Sequence, residues 1–256
     1  MNSIDFTVVI PAFNEERRLP KAVAAITAYL ESKCFSFEII IVNDGSTDNT
    51  ASVVEQLAKR NSSIQQIILN PNQGKGGAVR AGVLAAKGQL VLFTDADQST
   101  PIEELELLLQ AIQRDYFDMA IGSRTIAGAN VEKSQVWYRE FAAKLFGWAS
   151  RWLCIRGFAD TQCGFKCMKG SVAQAVFPEV TSRTAIFDIE MLIVATRKGF
   201  RIAELPVKWT HDPDTRIPYN FRRAIRIWAE LFRIRRVQRV YFPLRGITIP
   251  VKTRIK

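Results

Sequence analysis

Two carboxylates one residue apart, Asp95 and Asp97, directly follow the apolar run Leu90-Val91-Leu92-Phe93-Thr94. A short β-branched and aromatic run of this kind reads as a strand buried on both faces. Its carboxyl end is where open α/β sheets place ligands, and alternate residues of an extended chain point the same way. Both carboxylates can therefore converge on one hard divalent cation, Mg2+ or Mn2+, with substrate phosphates completing its shell. The same short pattern also fits a polar turn after a strand, where Asp is common.

Three neighbouring stretches add chemistry. Asp44, in Asn43-Asp44-Gly45-Ser46, reads either as an acceptor for a nucleobase ring N–H or as part of a turn that caps the next helix. Glu15 suits a ribose hydroxyl. The run Asn72-Gln73-Gly74-Lys75-Gly76-Gly77 allows close backbone approach to a phosphate beside Lys75, or is a solvated loop. It lacks Walker spacing, and its glycines follow the third strand rather than the first, which argues against a dinucleotide fingerprint.

These residues need a scaffold. Strands are expected at 6–10 (ended by Pro11), 38–42 and 66–69, and helices at 18–32 and 78–86. Strand and helix alternating in this rhythm imply right-handed crossovers and a largely parallel sheet in an α/β fold. A chain of 256 residues suffices for one two-sided domain, and no linker or repeat interrupts it. No run of about 18 uncharged apolar residues is present to span a bilayer. Residues 1–5 lack a basic-then-apolar leader, so a cytoplasmic setting is expected. Four cysteines and one histidine, His211, suggest reduced thiols rather than a disulfide framework or a zinc site.

The net charge of +10 is uneven: residues 215–256 hold twelve Lys or Arg against one acid, Glu230. Such a segment suits nucleic acid, an anionic membrane or water alone. Apolar spacing separates the options. Trp137, Phe141, Leu145, Trp148 and Trp152 recur at helical intervals, opposite Glu140, Lys144 and Arg151. Phe221, Ala224, Ile225, Trp228, Leu231 and Phe232 make a second stripe, flanked by Arg222, Arg223, Arg226 and Arg233. Aromatic faces bordered by arginines describe helices lying in a lipid headgroup layer, where each basic group adds about 1 kcal/mol. A core-packing helix with a solvated face is the alternative. The expectation is membrane-surface contact near 137–153 and 221–232, and no nucleic acid.

Several of these motifs, in order, match one family. Residues Val8 to Glu16, Ile41 to Ser46, Asn72 to Ala78 and Asp95-Ala96-Asp97 resemble glycosyltransferase family 2, which has the GT-A fold. Gly122-Ser123-Arg124, Asp160 to Lys166 and Phe187 to Leu192 are similar to its polyprenyl-phosphate branch, which contains dolichyl-phosphate glucosyl- and mannosyltransferases. The stretch Asp160 to Lys166 is closer to the glucosyl members, and the resemblance covers residues 4 to about 217.

The resemblance implies a nucleotide-sugar-binding half (about 1–125) and an acceptor and membrane-surface half (about 126–256). Pro11, Ala12, Glu15, Val42 and Asp44 would line the nucleoside pocket. Asp95, Ala96 and Asp97 would hold the donor diphosphate, the two acids through the metal, with Lys75 beside them. Arg124 and Arg139 would bind the acceptor phosphate, and Arg216 would close a loop over the donor. Asp160 is the family-like candidate base, or an organiser of the acceptor loop. Mannosyl members carry a glutamine metal ligand two residues after the second Asp; Ser99 stands there, leaving the third ligand open. The implied activity is inverting transfer, of glucose from UDP-glucose or else of mannose from GDP-mannose, onto a polyprenyl phosphate. A non-lipid acceptor is a further alternative. The implied location is peripheral, on the inner face of the cell membrane, and the lack of an N-terminal membrane helix suggests a bacterial or archaeal relative.

Elementary chemistry fits that implication. Breaking a sugar–diphosphate bond places negative charge on the leaving phosphate, which a divalent cation stabilises. A phosphate monoester has a second pKa of about 6 and is already largely dianionic at neutral pH. Such a nucleophile relies less on a general base than a hydroxyl does, and more on arginines that position it.

Overall fold

The computed structural model describes residues 4–132, 147–211, 221–240 and 244–245. Its centre is a seven-stranded sheet in the order β3-β2-β1-β4-β8-β5-β9. The strands are β1 (Phe6–Ala12), β2 (Phe37–Asn43), β3 (Ile64–Ile68), β4 (Leu90–Thr94), β5 (Met119–Ser123), β8 (Phe165–Lys169) and β9 (Ile202–Pro206). Pairing is parallel except for β8, which runs antiparallel between β4 and β5. The remaining strands are short: β6 (Asn130–Glu132) pairs with β10 (Lys208–Thr210), and β7 (Ile155–Arg156) with β11 (Leu244–Arg245).

Alternation along the strands builds two cores. Phe6, Val8 and Ile10 face one side with Ile39, Ile41 and Leu92, under α1 (Leu19–Ser32) and α4 (Leu105–Gln113). Val9, Ile40, Val42, Val91 and Phe93 face the other. There they meet α3 (Gly74–Ala85), α6 (Gly170–Val176) and α7 (Phe187–Arg197). Both faces being covered explains why these strands are continuous apolar runs instead of alternating ones. Helix α2 (Thr50–Arg60) packs beside β3, residues 147–153 form α5, and α8 (Phe221–Val237) sets Leu231 and Ile234 into the second core.

Two sequence expectations change. Pro11 does not end β1, which continues to Ala12 and pairs Pro11 with Val42. The ladder to β4 stops at Val9↔Phe93, so on that side the missing N–H needs no partner. Helix α3 begins at Gly74, four residues before the expected start, which turns the glycine-rich loop into a helix's first turn.

The stripe of α8 is split. Leu231 and Ile234 are buried, whereas Ile225 and Phe232 stand more than half exposed, alongside exposed Arg226 and Arg236. In α5, Ala149 and Ser150 face inward while Trp148 and Trp152 are each 59% exposed and stack at 6.3 Å. Trp137, Phe141 and Leu145 lie outside the described residues, as do the side chains of Phe221 and Ala224.

Candidate active site

Parallel strands β1, β2 and β4 deliver their carboxyl ends to one edge. The loops after β1 and β2 are sewn together there. Asn14, at φ 59°, donates its N–H to Ser46 Oγ at 3.0 Å and accepts the Thr47 N–H on its amide oxygen at 2.8 Å. An Asn tolerates this left-handed backbone because its short side chain bonds locally. Glu15 donates its N–H to Thr50 Oγ1 at 2.8 Å, and its carboxylate lies 3.4 Å from Arg18. Val42 is fully buried and packs on Gly82 of α3; Ala12 and Ala96 are also buried.

Asp44 ties this edge to α3. Its Oδ1 accepts the Gln73 N–H at 2.6 Å, and its main-chain oxygen accepts from Asn72 Nδ2 at 2.6 Å. The glycines that follow serve packing. A Cβ at Gly74 would collide with the Arg183 carbonyl, one at Gly76 with the Ser182 carbonyl, and one at Gly77 with Gln73 Cβ. Close approach to residues 182–184 thus fixes the N-terminus of α3, which places Lys75 in its first turn.

Lys75 Nζ sits 2.6 Å from Asp95 Oδ1. Burial pulls the Lys75 pKa down, but Asp95, Asp188 and Asp97 together raise it above its ordinary value. Asp95 also packs closely on Gly164, where an added Cβ would overlap its carboxylate. Asp97 Oδ1 accepts the Ser99 N–H at 2.9 Å. Burial and the charge of Asp95 push the Asp97 carboxyl up. Two crowded carboxylates, one of them penalised by the other, suit an added hard cation. Among the described residues no third His, Cys, Asp or Glu completes a ligating group, so ligand oxygens or water would supply the rest.

Arg124, just past β5, meets Asp160 in a fork: Nε to Oδ2 at 2.7 Å and Nη2 to Oδ1 at 2.9 Å. The Arg124 main-chain N–H also donates to Oδ2 at 3.0 Å, and Gln162 N–H to Oδ1 at 3.0 Å. Burial works to raise the Asp160 pKa, yet Arg124 and these N–H groups hold it below its ordinary value. The guanidinium lies over the Trp209 ring at 5.5 Å, and the segment that runs from Asp160 to Gly164 joins it to Asp95, which packs on Gly164, so both motifs belong to one site. His211 stacks obliquely on Trp209 at 5.8 Å. Arg139 and Arg216 lie outside the described residues.

Sequence reasoning assigned no role to the pair beneath this site. Lys166 on β8 and Asp188 on α7 are both buried and lie 2.5 Å apart; Lys166 also donates to the Cys163 carbonyl and sits over the Phe93 ring. Burial pushes the Asp188 carboxyl up, against the pull of Lys166 and Lys75. Single charges inside Phe165-Lys166-Cys167-Met168 and Phe187-Asp188-Ile189 were the available signal. A charge in an apolar run must find a partner once buried. Glu204 also escaped notice; it accepts the N–H groups of Ala159 and Asp160 and so holds the loop carrying Asp160.

Known proteins resemble this chain in sequence and in fold. Residues 7–162 match the family Glycosyl transferase family 2. A dolichyl-phosphate beta-glucosyltransferase of Trichomonas vaginalis is 38% identical over 239 residues, spanning 88% of this chain and 71% of its own. The enzyme of the same name from Dictyostelium discoideum is 32% identical over 246 residues, spanning 92% and 75%. Among solved structures, glucosyl-3-phosphoglycerate synthase from Mycobacterium tuberculosis superposes with TM-score 0.67 over 93% of this chain and 80% of that one. It is 16% identical and therefore speaks to the GT-A fold alone. With the acids after β4 standing in that fold, and identity to curated relatives running across most of its length, this chain is a glycosyltransferase belonging to glycosyl transferase family 2.

Proposed function

We propose that the enzyme transfers glucose from UDP-glucose to a polyprenyl phosphate of the dolichyl type, with inversion at the anomeric carbon, using Mg2+ or Mn2+. The observation that carries this reading is that the short segment 160–164 grips Arg124 through Asp160 at one end and packs on Asp95 through Gly164 at the other, so the paired acids after β4 and the arginine after β5 share one sheet edge. The names of the relatives supply the sugar and the acceptor class. The fold neighbour was crystallised with Mn2+ and UDP-glucose, which agrees with the choice of donor and cation.

In this reading Asp44 offers Oδ2 to a base N–H while Oδ1 keeps the Gln73 turn in place. Lys75, in the first turn of α3, meets the diphosphate where the helix dipole also favours negative charge. A cation held by Asp95 and Asp97 supplies Lewis-acid stabilisation of the leaving group. Arg124, fixed on Asp160 through Nε and Nη2, keeps its remaining N–H groups for the acceptor phosphate. Asp160 is then a positioning residue: both its oxygens accept from Arg124, and a dianionic acceptor needs no proton removed. Arg139 and Arg216 keep the acceptor and loop-closing roles that the family resemblance implies.

The acceptor's lipid tail calls for a membrane surface. Exposed Trp148, Trp152, Ile225 and Phe232, with exposed Arg226 and Arg236, have the aromatic and basic chemistry of a headgroup-layer contact. Among the described residues no helix is long and apolar enough to cross a membrane.

The test is direct. Incubation with Mn2+, labelled UDP-glucose or GDP-mannose, and a bacterial polyprenyl phosphate should yield lipid-extractable label from UDP-glucose. Asp95→Asn should abolish it while leaving the thermal melt unchanged. Label from GDP-mannose alone would reassign the sugar, and transfer only to soluble acceptors would overturn the lipid assignment.

A further inference from the structure

The contact between Lys75 and Asp95 bears on the order in which the site fills. Resting on the metal-and-donor reading above, we infer that Lys75 is a tethered cation that occupies Asp95 until a donor diphosphate draws it away. Metal and donor then load together rather than independently.

Three observations carry this. Lys75 Nζ lies 2.6 Å from Asp95 Oδ1, and so neutralises the carboxylate that would hold a divalent ion together with Asp97. Gly164 packs close to the same carboxylate, nearest its Oδ2, while Lys75 holds Oδ1. Lysine and metal therefore compete for one carboxylate that is approached through both oxygens. Asp188, itself held by Lys166, adds a second negative charge that acts on Lys75. The helical base of Lys75 is locked by the Gly76 N–H bond to the Arg183 carbonyl at 3.0 Å, so only the flexible four-carbon stem must move.

A diphosphate arriving at the N-terminus of α3 offers the ammonium a stronger anion than a half-exposed carboxylate. Releasing Asp95 at that moment makes donor binding favour cation binding, and linkage makes the effect reciprocal. Without donor the lysine keeps a free cation out, which disfavours a metal-loaded site lacking substrate.

The experiment measures Mn2+ binding by electron paramagnetic resonance or calorimetry, with and without UDP, in wild type, Lys75→Met and Arg124→Gln. Because Met keeps the stem and removes the charge, nucleotide-free Mn2+ affinity should rise in Lys75→Met by a factor within the usual range of site coupling, about 5- to 150-fold. The gain from adding UDP should shrink in the same variant. Arg124→Gln removes a cation that acts on Asp95 from a distance, and its gain should be clearly smaller. An unchanged nucleotide-free affinity in Lys75→Met, or an equal gain in Arg124→Gln, overturns the lysine gate while sparing the metal site. Failure of wild type to bind Mn2+ even with UDP sinks the metal reading and the gate together. Thermal melts confirm that each variant is folded.

Discussion

Arg124 and Asp160 grip each other through a two-pronged side-chain pair, 2.7 and 2.9 Å long, closed by a third bond from the Arg124 main chain. Asp160 is 5% exposed, so the carboxylate is stable there only as long as the guanidinium faces it. Asp160→Asn should lower stability by about 3 kcal/mol, the low end for breaking a buried pair. It should raise KM for the acceptor far more than KM for the nucleotide sugar. Chemical denaturation and separate KM measurements check both. A loss confined to kcat with KM unchanged would instead make Asp160 the proton acceptor.

The same pair has a pH signature. The folded pKa of Asp160 is depressed below 3.8, so its contribution is fully present above that value and disappears as pH falls through the folded pKa. The stability gap between wild type and Asp160→Asn should be flat from neutral pH down to about 4 and then close. Urea titrations at stepped pH read this directly.

Lys166 and Asp188 make a stronger structural case, since both are essentially without solvent. Lys166→Met leaves a buried unpaired carboxylate and should cost about 3–5 kcal/mol. Lys166→Met with Asp188→Leu removes both charges and should recover most of that loss, as hydrophobic replacement of buried pairs often does. The double-mutant cycle in denaturant gives the coupling.

Gly164 tests how closely Asp95 must be held. A methyl at Gly164 would overlap the Asp95 carboxylate, so Gly164→Ala must displace the acid. A shift of about 1 Å at a catalytic group costs on the order of 10²-fold in rate. The transfer rate should fall by that amount with only a small change in melting temperature.

The exposed aromatics can be removed without touching the core. Trp148→Ser with Trp152→Ser and Phe232→Ser should abolish co-sedimentation with anionic vesicles and leave stability within about 0.5 kcal/mol per site, as expected of surface positions. Activity on a short, water-soluble polyprenyl phosphate should persist. Unchanged vesicle binding would relocate the membrane contact.

Much of the frame was written in local pattern. Val8 to Ile10, Ile39 to Val42 and Leu90 to Phe93 are apolar without alternation, as expected of strands buried on both faces. Asp44, Asp95 and Asp97 follow such runs, so a parallel arrangement carries them to one edge whatever the details of packing. Pattern also marked Trp148, Trp152, Ile225 and Phe232 as one-sided, although not which apolar neighbours would turn inward.

Only the tertiary structure decided what those groups touch. Lys75 and Asp95 are twenty positions apart, Arg124 and Asp160 thirty-six, and Lys166 and Asp188 twenty-two; nothing in local spacing pairs them. The antiparallel insertion of β8 between β4 and β5 brings Gly164 against Asp95 and buries Lys166 below it. The glycines at 74, 76 and 77 read as room for close approach, and it is the carbonyls of Arg183 and Ser182 and the Gln73 side chain that occupy their Cβ positions. A sequence specifies which side chains can carry charge and which way a strand's end faces. Which opposite charge reaches within bonding distance depends on where distant segments cross, and that is settled by packing the whole sheet.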